Sequence, residues 1–126
     1  MSGMALKAPS FTIGIEEESL LVDRASRDLV REMPPGLFED AKGVLGDQVA
    51  REFLKSQIEV GTSVHKTPAQ AGAELAQLRQ AVAHVAAKHG LAPIAASTHP
   101  FARWSTQEPT ERERYQAIAV DLAGVG

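Results

Sequence analysis

The sequence predicts an α+β fold in which helices cover one face of a sheet. Three observations predict it: alternating apolar and polar residues at 11–23, a long amphipathic segment at 68–89, and a strand–helix–strand order across 49–96. A helical crossover of this kind returns the chain to its own sheet. The chain has 126 residues, of which 44% are apolar and 23% charged, which is the balance of an ordinary globular domain.

The first predicted element is a strand at 11–23, preceded by a flexible N-terminus at 1–10. Apolar residues occupy the odd positions from Phe11 to Ile15, which is the period of a half-buried strand. Three consecutive apolar residues beyond position 19 interrupt the alternation, and this interruption predicts a bulge or bend near Ser19. The polar run that follows predicts a turn.

A short helix is predicted at 37–42, ended by Gly43 and Gly46. A second strand is predicted at 49–60, with its even-numbered residues from 54 to 60 facing the core. Its odd-numbered residues, Lys55 and Glu59 among them, would then face the other way.

The clearest predicted element is the helix at 68–89. Thr67 is a favourable N-cap, Pro68 suits the first helical position, and Gln70 completes a Thr-x-x-Gln capping box. Gly90 is a natural stop. A buried strand is predicted at 91–96, and a last helix from 109 onward.

Carboxylates collect on the polar side of the predicted sheet. Glu16 and Glu18 share a strand face about 6.6 Å apart, at ~3.3 Å per residue, and Glu59 joins them if the two strands pair. Such carboxylates repel one another unless a cation lies between them, and Mg²⁺ prefers oxygen ligands. The alternative is a solvated acidic edge that deters aggregation.

Three further residues are candidates for contact with a substrate or nucleotide. His99 follows a buried strand in a loop, where ligand-binding residues often lie; the alternative is a turn residue fixed by Pro100. Arg103 could hold a carboxylate or phosphate, or pack as an ordinary loop residue. Lys55 could touch phosphate, or balance the nearby acids.

Composition and motifs exclude several function classes. The chain has no cysteine, which excludes a disulfide scaffold, a thiolate metal site and a cysteine nucleophile, and fits a cytoplasmic location. Its net charge of −3 argues against nucleic acid as a partner, and no apolar run approaches the ~20 residues of a membrane span. There is no Walker-type phosphate loop.

Four segments together resemble the carboxylate–amine ligase family, the type 2 glutamate–cysteine ligases. They are FTIGIEEESLLVD, SQIEVGTSVHKTPAQ, ASTHPFARW and ERERYQ, in that order and spacing. The resemblance implies a fold similar to glutamine synthetase, with a curved, largely antiparallel sheet and helices on its outer side. It also implies ATP-dependent amide formation through an acyl phosphate, with Mg²⁺ between the carboxylates and ATP.

By this resemblance, Glu16, Glu18 and Glu59 look like metal ligands, and His99 lies in a segment similar to one on the substrate side. The implied partners are a glutamate-like acid and an amine, with a homo-oligomer possible. Members of the family extend well beyond this length, so we expect residues 11–126 to be the N-terminal portion of a larger catalytic domain, inactive alone. The alternatives are a non-catalytic interaction module and a metal-dependent phosphatase or nuclease.

Overall fold

The computed structural model of the protein describes residues 8–124, and its α+β class confirms the prediction. The sequence predicts a flexible N-terminus at 1–10, and residues 1–7 of that segment lie outside the described residues. The elements are β1 (Glu16–Asp23), α1 (Leu37–Leu45), β2 (Val49–Arg51), β3 (Gln57–Gly61), α2 (Pro68–Lys88), β4 (Leu91–Ile94) and α3 (Glu113–Ala123).

The four strands form one sheet in the order β2-β3-β1-β4, and every neighbouring pair is antiparallel. Because β3 and β4 both run antiparallel to β1, they run parallel to each other. The helix α2 connects them, which is the predicted crossover. The helices α1 and α2 pack together, and α2 also packs on β3 and β4. One sheet face is therefore covered by helices, and we call the other the open face.

The first strand is shorter than predicted and has no bulge. It begins at Glu16, and Phe11 is 82% exposed. Its pairing with β3 and then β4 runs without a break from Glu16 to Asp23. The three consecutive apolar residues are buried because helices cover one face of β1 there, while the loop that contains His99 covers Leu20 on the other. Coverage of both faces, not a kink, interrupts the alternation.

The prediction of one strand at 49–60 is wrong, because the chain turns back between β2 and β3. The Gln57 side chain closes this turn by accepting a hydrogen bond from the Leu54 N–H at 2.9 Å. The two strands then pair as a hairpin, with Ala50 opposite Glu59. The turn contains no Gly, Pro, Asn or Asp, so the usual sequence signals of a hairpin are missing.

Two helix boundaries also differ from the prediction. The helix α1 continues through Gly43 to Leu45, and Gly46 ends it with a φ of 58°, a conformation that glycine adopts easily. The helix α3 begins only at Glu113. Before it, Pro109 forms a bridge with Leu54, so the chain there is extended rather than helical.

The long helix α2 follows the prediction closely. The Thr67 hydroxyl accepts a hydrogen bond from the Gln70 N–H at 3.3 Å, and Gly90 adopts a φ of 73° just beyond the helix. The reciprocal bond of the capping box shifts by one residue, since the Gln70 side chain accepts from the Lys66 N–H. Among the helices within residues 8–124, none combines the length and the apolar character that a bilayer span requires.

The hydrophobic core lies between the two packed helices and the sheet. Leu21, Leu37, Ile58 and Val85 are its largest buried apolar side chains, each at most 1% exposed. They come from β1, α1, β3 and α2, so the core joins two strands of the sheet to the two helices that cover it. The open face carries the carboxylates of β1 and β3 beside the apolar Leu20, which the loop that contains His99 covers.

Candidate metal centre

Three carboxylates meet on the open face of the sheet. Glu18, Glu52 and Glu59 each offer an oxygen atom, and these atoms lie within 4.8 Å of one another. Glu18 and Glu59 are directly opposite in the β1–β3 pairing, so their side chains rise from the same face. Glu52 comes from the residue just after β2. We call these three residues the carboxylate cluster.

The cluster has the electrostatics of a cation site. Burial, followed by the nearby charge of Glu52, raises the pKa of Glu59 above its usual value, and Glu16 and Glu18 add to the effect. Carboxylates this close destabilise one another in their charged forms. A divalent cation that prefers oxygen ligands would relieve that repulsion, so the three residues fit such an ion.

The predicted ligand Glu16 lies near the cluster but is not one of its three members. It is exposed and opposite Gly61 at the start of the β1–β3 pairing. Its charge nonetheless contributes to the raised pKa of Glu59. A role for Glu16 in metal binding therefore stays a prediction.

Glu17 points to the helix side of the sheet, as its position between Glu16 and Glu18 predicts. Its carboxylate accepts a hydrogen bond from Arg79 Nε at 2.7 Å, and this bond lowers the pKa of Glu17. The three consecutive glutamates thus divide between the two faces, and Glu17 belongs to the packing of α2 on the sheet.

Sequence reasoning missed Glu52 because of the hidden turn. On a single strand at 49–60, the even-numbered Glu52 would face the core, opposite in direction to Glu59. In the real hairpin, Ala50 is opposite Glu59, so even-numbered residues of β2 share the face of odd-numbered residues of β3. No residue in the turn announces the reversal, so the sequence offers no simple signal for Glu52.

Both ring nitrogens of His99 form hydrogen bonds with backbone atoms. The side chain is buried, Nε2 lies 3.0 Å from the Arg27 carbonyl oxygen, and Nδ1 accepts a hydrogen bond from the Ala102 N–H at 3.0 Å. This pattern requires the neutral ring with its proton on Nε2. The geometry favours the alternative of a turn residue, although its bonds to Arg27 and Ala102, rather than Pro100, are what hold the ring.

Lys55 and Arg103 differ in their surroundings. Lys55 Nζ contacts the carboxylates of Glu108 and Glu111 at 3.1 and 3.2 Å, and the bond to Glu108 is the main cause of its raised pKa. Arg103 is exposed and forms no ion pair with any residue between positions 8 and 124. Of the two cations, Arg103 is the one available to an anionic ligand.

A cavity of about 200 Å³ lies on the open face beside the carboxylate cluster. Its lining includes Leu20 and Gln57, a strand pair that lies two residues along from Glu18 and Glu59. Two residues of a strand span about 6.6 Å, so the cavity is within reach of a molecule bound at the cluster. The exposed ring of Trp104 forms part of its wall.

Comparison with known proteins places the chain in a family. Residues 12–126 match the sequence model of glutamate-cysteine ligase family 2. A protein of Rhodospirillum rubrum named "Putative glutamate--cysteine ligase 2" is 49% identical over 124 residues, covering 95% of this chain and 32% of the relative. Proteins of the same name are 49% identical in Paracoccus denitrificans (93% and 31% covered) and 50% in Ruegeria pomeroyi (91% and 30%).

The chain spans about a third of the length of these curated relatives. The match to the family nevertheless covers almost every described residue, including all three members of the carboxylate cluster. The chain therefore belongs to glutamate–cysteine ligase family 2.

Proposed function

We propose that this protein is an ATP- and Mg²⁺-dependent carboxylate–amine ligase, with a glutamate-like acid and an amine as substrates. The observation that carries the proposal is the carboxylate cluster on the open face of a member of this family. We further propose that the sheet is part of a larger glutamine-synthetase-like fold and supplies one wall of the site.

The proposed reaction has two steps. An oxygen of the substrate carboxylate attacks the γ-phosphorus of ATP, the bond to the ADP oxygen breaks, and an acyl phosphate forms. The amine nitrogen then attacks the acyl carbon, phosphate leaves with its bonding electrons, and the nitrogen loses a proton to give the amide. Bound Mg²⁺ would neutralise phosphate charge during transfer.

The residues of this chain have separate proposed roles. Glu18, Glu52 and Glu59 would hold the cation, and the nearby Glu16 would be a further candidate ligand. The exposed Arg103 attracts an anionic substrate group. The paired Lys55 and the buried His99 hold the surrounding loops in place.

The test uses the full-length protein with ATP, Mg²⁺, glutamate and an amine donor, and measures ADP release with and without the amine. Glu59→Gln keeps the size of the side chain and removes one charged ligand, so we expect amine-dependent ADP release to fall at least tenfold. Glu17→Gln is the matched control, since Glu17 lies on the other face beside Arg79. Its activity should stay near that of the unmodified protein.

Three results separate the alternatives. Equal ADP release in Glu59→Gln and Glu17→Gln would refute the role of the cluster. ADP release that ignores the amine would indicate a hydrolase instead of a ligase. No ADP release in the unmodified protein, with or without amine, would favour a non-catalytic relative.

A further inference from the structure

We propose that Tyr115 of α3 is a positioning residue that holds Glu52 in the carboxylate cluster. This inference rests on the proposed function, because it assigns Tyr115 to the same cation site. The Tyr115 hydroxyl donates a hydrogen bond to Glu52 Oε2 at 3.2 Å. Glu52 is the member of the cluster that lies outside the pairing of β1 with β3.

Glu52 needs such a partner more than the other two ligands do. Glu18 and Glu59 rise side by side from paired strands, whereas Glu52 lies just beyond the end of β2. The charges of Glu18 and Glu59 repel the Glu52 carboxylate, so a partner that holds it in place offsets this repulsion. A carboxylate has about four lone-pair sites, so Glu52 can accept the hydroxyl proton and still coordinate a cation.

The Tyr115 ring is itself held firmly. It packs edge-on against Phe53 with ring centroids 5.7 Å apart and an angle of 84° between the rings. This contact fixes where the hydroxyl lies, because a tyrosine has only two side-chain torsions. The packed ring therefore holds the hydroxyl in place next to the Glu52 carboxylate.

A separate set of contacts holds the backbone around Glu52. The Thr110 hydroxyl donates to the Glu52 carbonyl oxygen at 2.5 Å, and the Thr110 N–H donates to the Phe53 carbonyl oxygen at 2.7 Å. The backbone is thus fixed by Thr110 and the side chain by Tyr115. Removing only the tyrosine hydroxyl should leave the turn intact and free the carboxylate.

The decisive variant is Tyr115→Phe, which keeps the ring contact with Phe53 and deletes the hydroxyl. Mn²⁺, a paramagnetic probe for Mg²⁺ sites, is titrated into the full-length protein and its binding is followed by electron paramagnetic resonance. Loss of a partner that orients a metal ligand typically weakens binding ten- to a hundredfold. We expect about a tenfold rise in Kd, with an unchanged metal-free Tm.

A double-mutant cycle separates positioning from general structure. Glu52→Ala removes both the ligand and the acceptor of the Tyr115 hydroxyl, and should weaken Mn²⁺ binding by itself. Adding Tyr115→Phe to it should cause no further loss, because the hydroxyl acts only through Glu52. A full further loss in the double variant would overturn the proposal.

The remaining outcomes are also distinguishable. If the unmodified protein binds Mn²⁺ and Tyr115→Phe binds it equally well, Tyr115 has no positioning role while the metal site stands. If the unmodified protein binds no Mn²⁺, the metal site of the proposed function falls and the role of Tyr115 falls with it.

Discussion

Glu74 shows how a single side chain can order a loop. From its position on α2 it accepts hydrogen bonds from the Ser63 N–H at 2.9 Å and from Gln48 Nε2 at 2.8 Å, and it pairs with His65 Nε2. The bond with His65 is the largest cause that lowers its pKa to about 2. The loop after β3 is thus tied to the helix by one carboxylate.

The lowered pKa makes a pH-dependent prediction for Glu74→Gln. A carboxylate with a lower pKa in the folded state stabilises the protein fully above its unfolded pKa, near 4.5, and loses that effect as the pH falls toward 2. Unfolding by urea at several pH values should show the variant less stable at pH 7, with the difference shrinking between pH 4.5 and 2.

The control for this experiment is Glu32→Gln, since Glu32 is exposed and has no ion pair within the described part of the chain. Its stability should follow that of the unmodified protein at every pH. A difference for Glu74→Gln that stays constant down to pH 2 would contradict the prediction.

At this scale, the sequence predicts the members of the carboxylate cluster whose strands are recognised and misses the one that depends on the reversal of the chain. Glu18 and Glu59 share a face because both lie on predicted strands with the correct period. Glu52 joins them only through the hairpin register, and the turn of that hairpin carries no recognisable sequence signal. The roles of His99 and Lys55 are equally hidden, because their partners lie far away in the sequence.

At the scale of elements, local signals decide how well the sequence predicts a boundary. The helix α2 has a cap, a proline at its start and a glycine at its end, and its predicted limits agree with the structure to within one residue. The hairpin of β2 and β3 lacks such signals, and its turn is closed by a side chain together with the distant segment around Pro109. Contacts between remote segments therefore override the local pattern.

The N-cap of α2 gives a prediction at this scale. Thr67→Ala removes the hydroxyl that accepts from the Gln70 N–H, and should lower the free energy of unfolding by about 1 kcal/mol. Thr67→Ser keeps the acceptor oxygen, and its free energy of unfolding should stay within a few tenths of a kcal/mol of that of the unmodified protein. Equal losses in the two variants, measured by chemical denaturation, would rule out the capping bond as the cause.

At the scale of the whole molecule, the sheet separates two tasks. Its helix-covered face holds the apolar core, and its open face holds the carboxylate cluster. The central strand β1 serves both, since Leu21 is completely buried while Glu18 joins the cluster. Composition and periodicity predict this two-faced arrangement. They do not predict the path of residues 108–115 past the hairpin, because that segment has no pattern of its own.

Leu21→Ala tests the share of the central strand in stability. A fully buried leucine cut to alanine leaves a cavity and costs about 2–5 kcal/mol of unfolding free energy. Val64→Ala removes an apolar side chain that is 71% exposed, and should change stability by less than about 0.5 kcal/mol. Denaturant midpoints that shift equally in both variants would show that β1 is not at the centre of the core.

The contacts of Thr110 and Tyr115 with the turn at Glu52 also have a consequence for biosynthesis. A ribosome releases the chain from its N-terminus, so all three glutamates of the cluster emerge well before the residues that secure Glu52. A nascent chain stalled between Glu59 and Thr110 would thus carry all three glutamates and still lack these contacts. The arrangement that holds Glu52 beside Glu18 and Glu59 would form only once Tyr115 has left the exit tunnel.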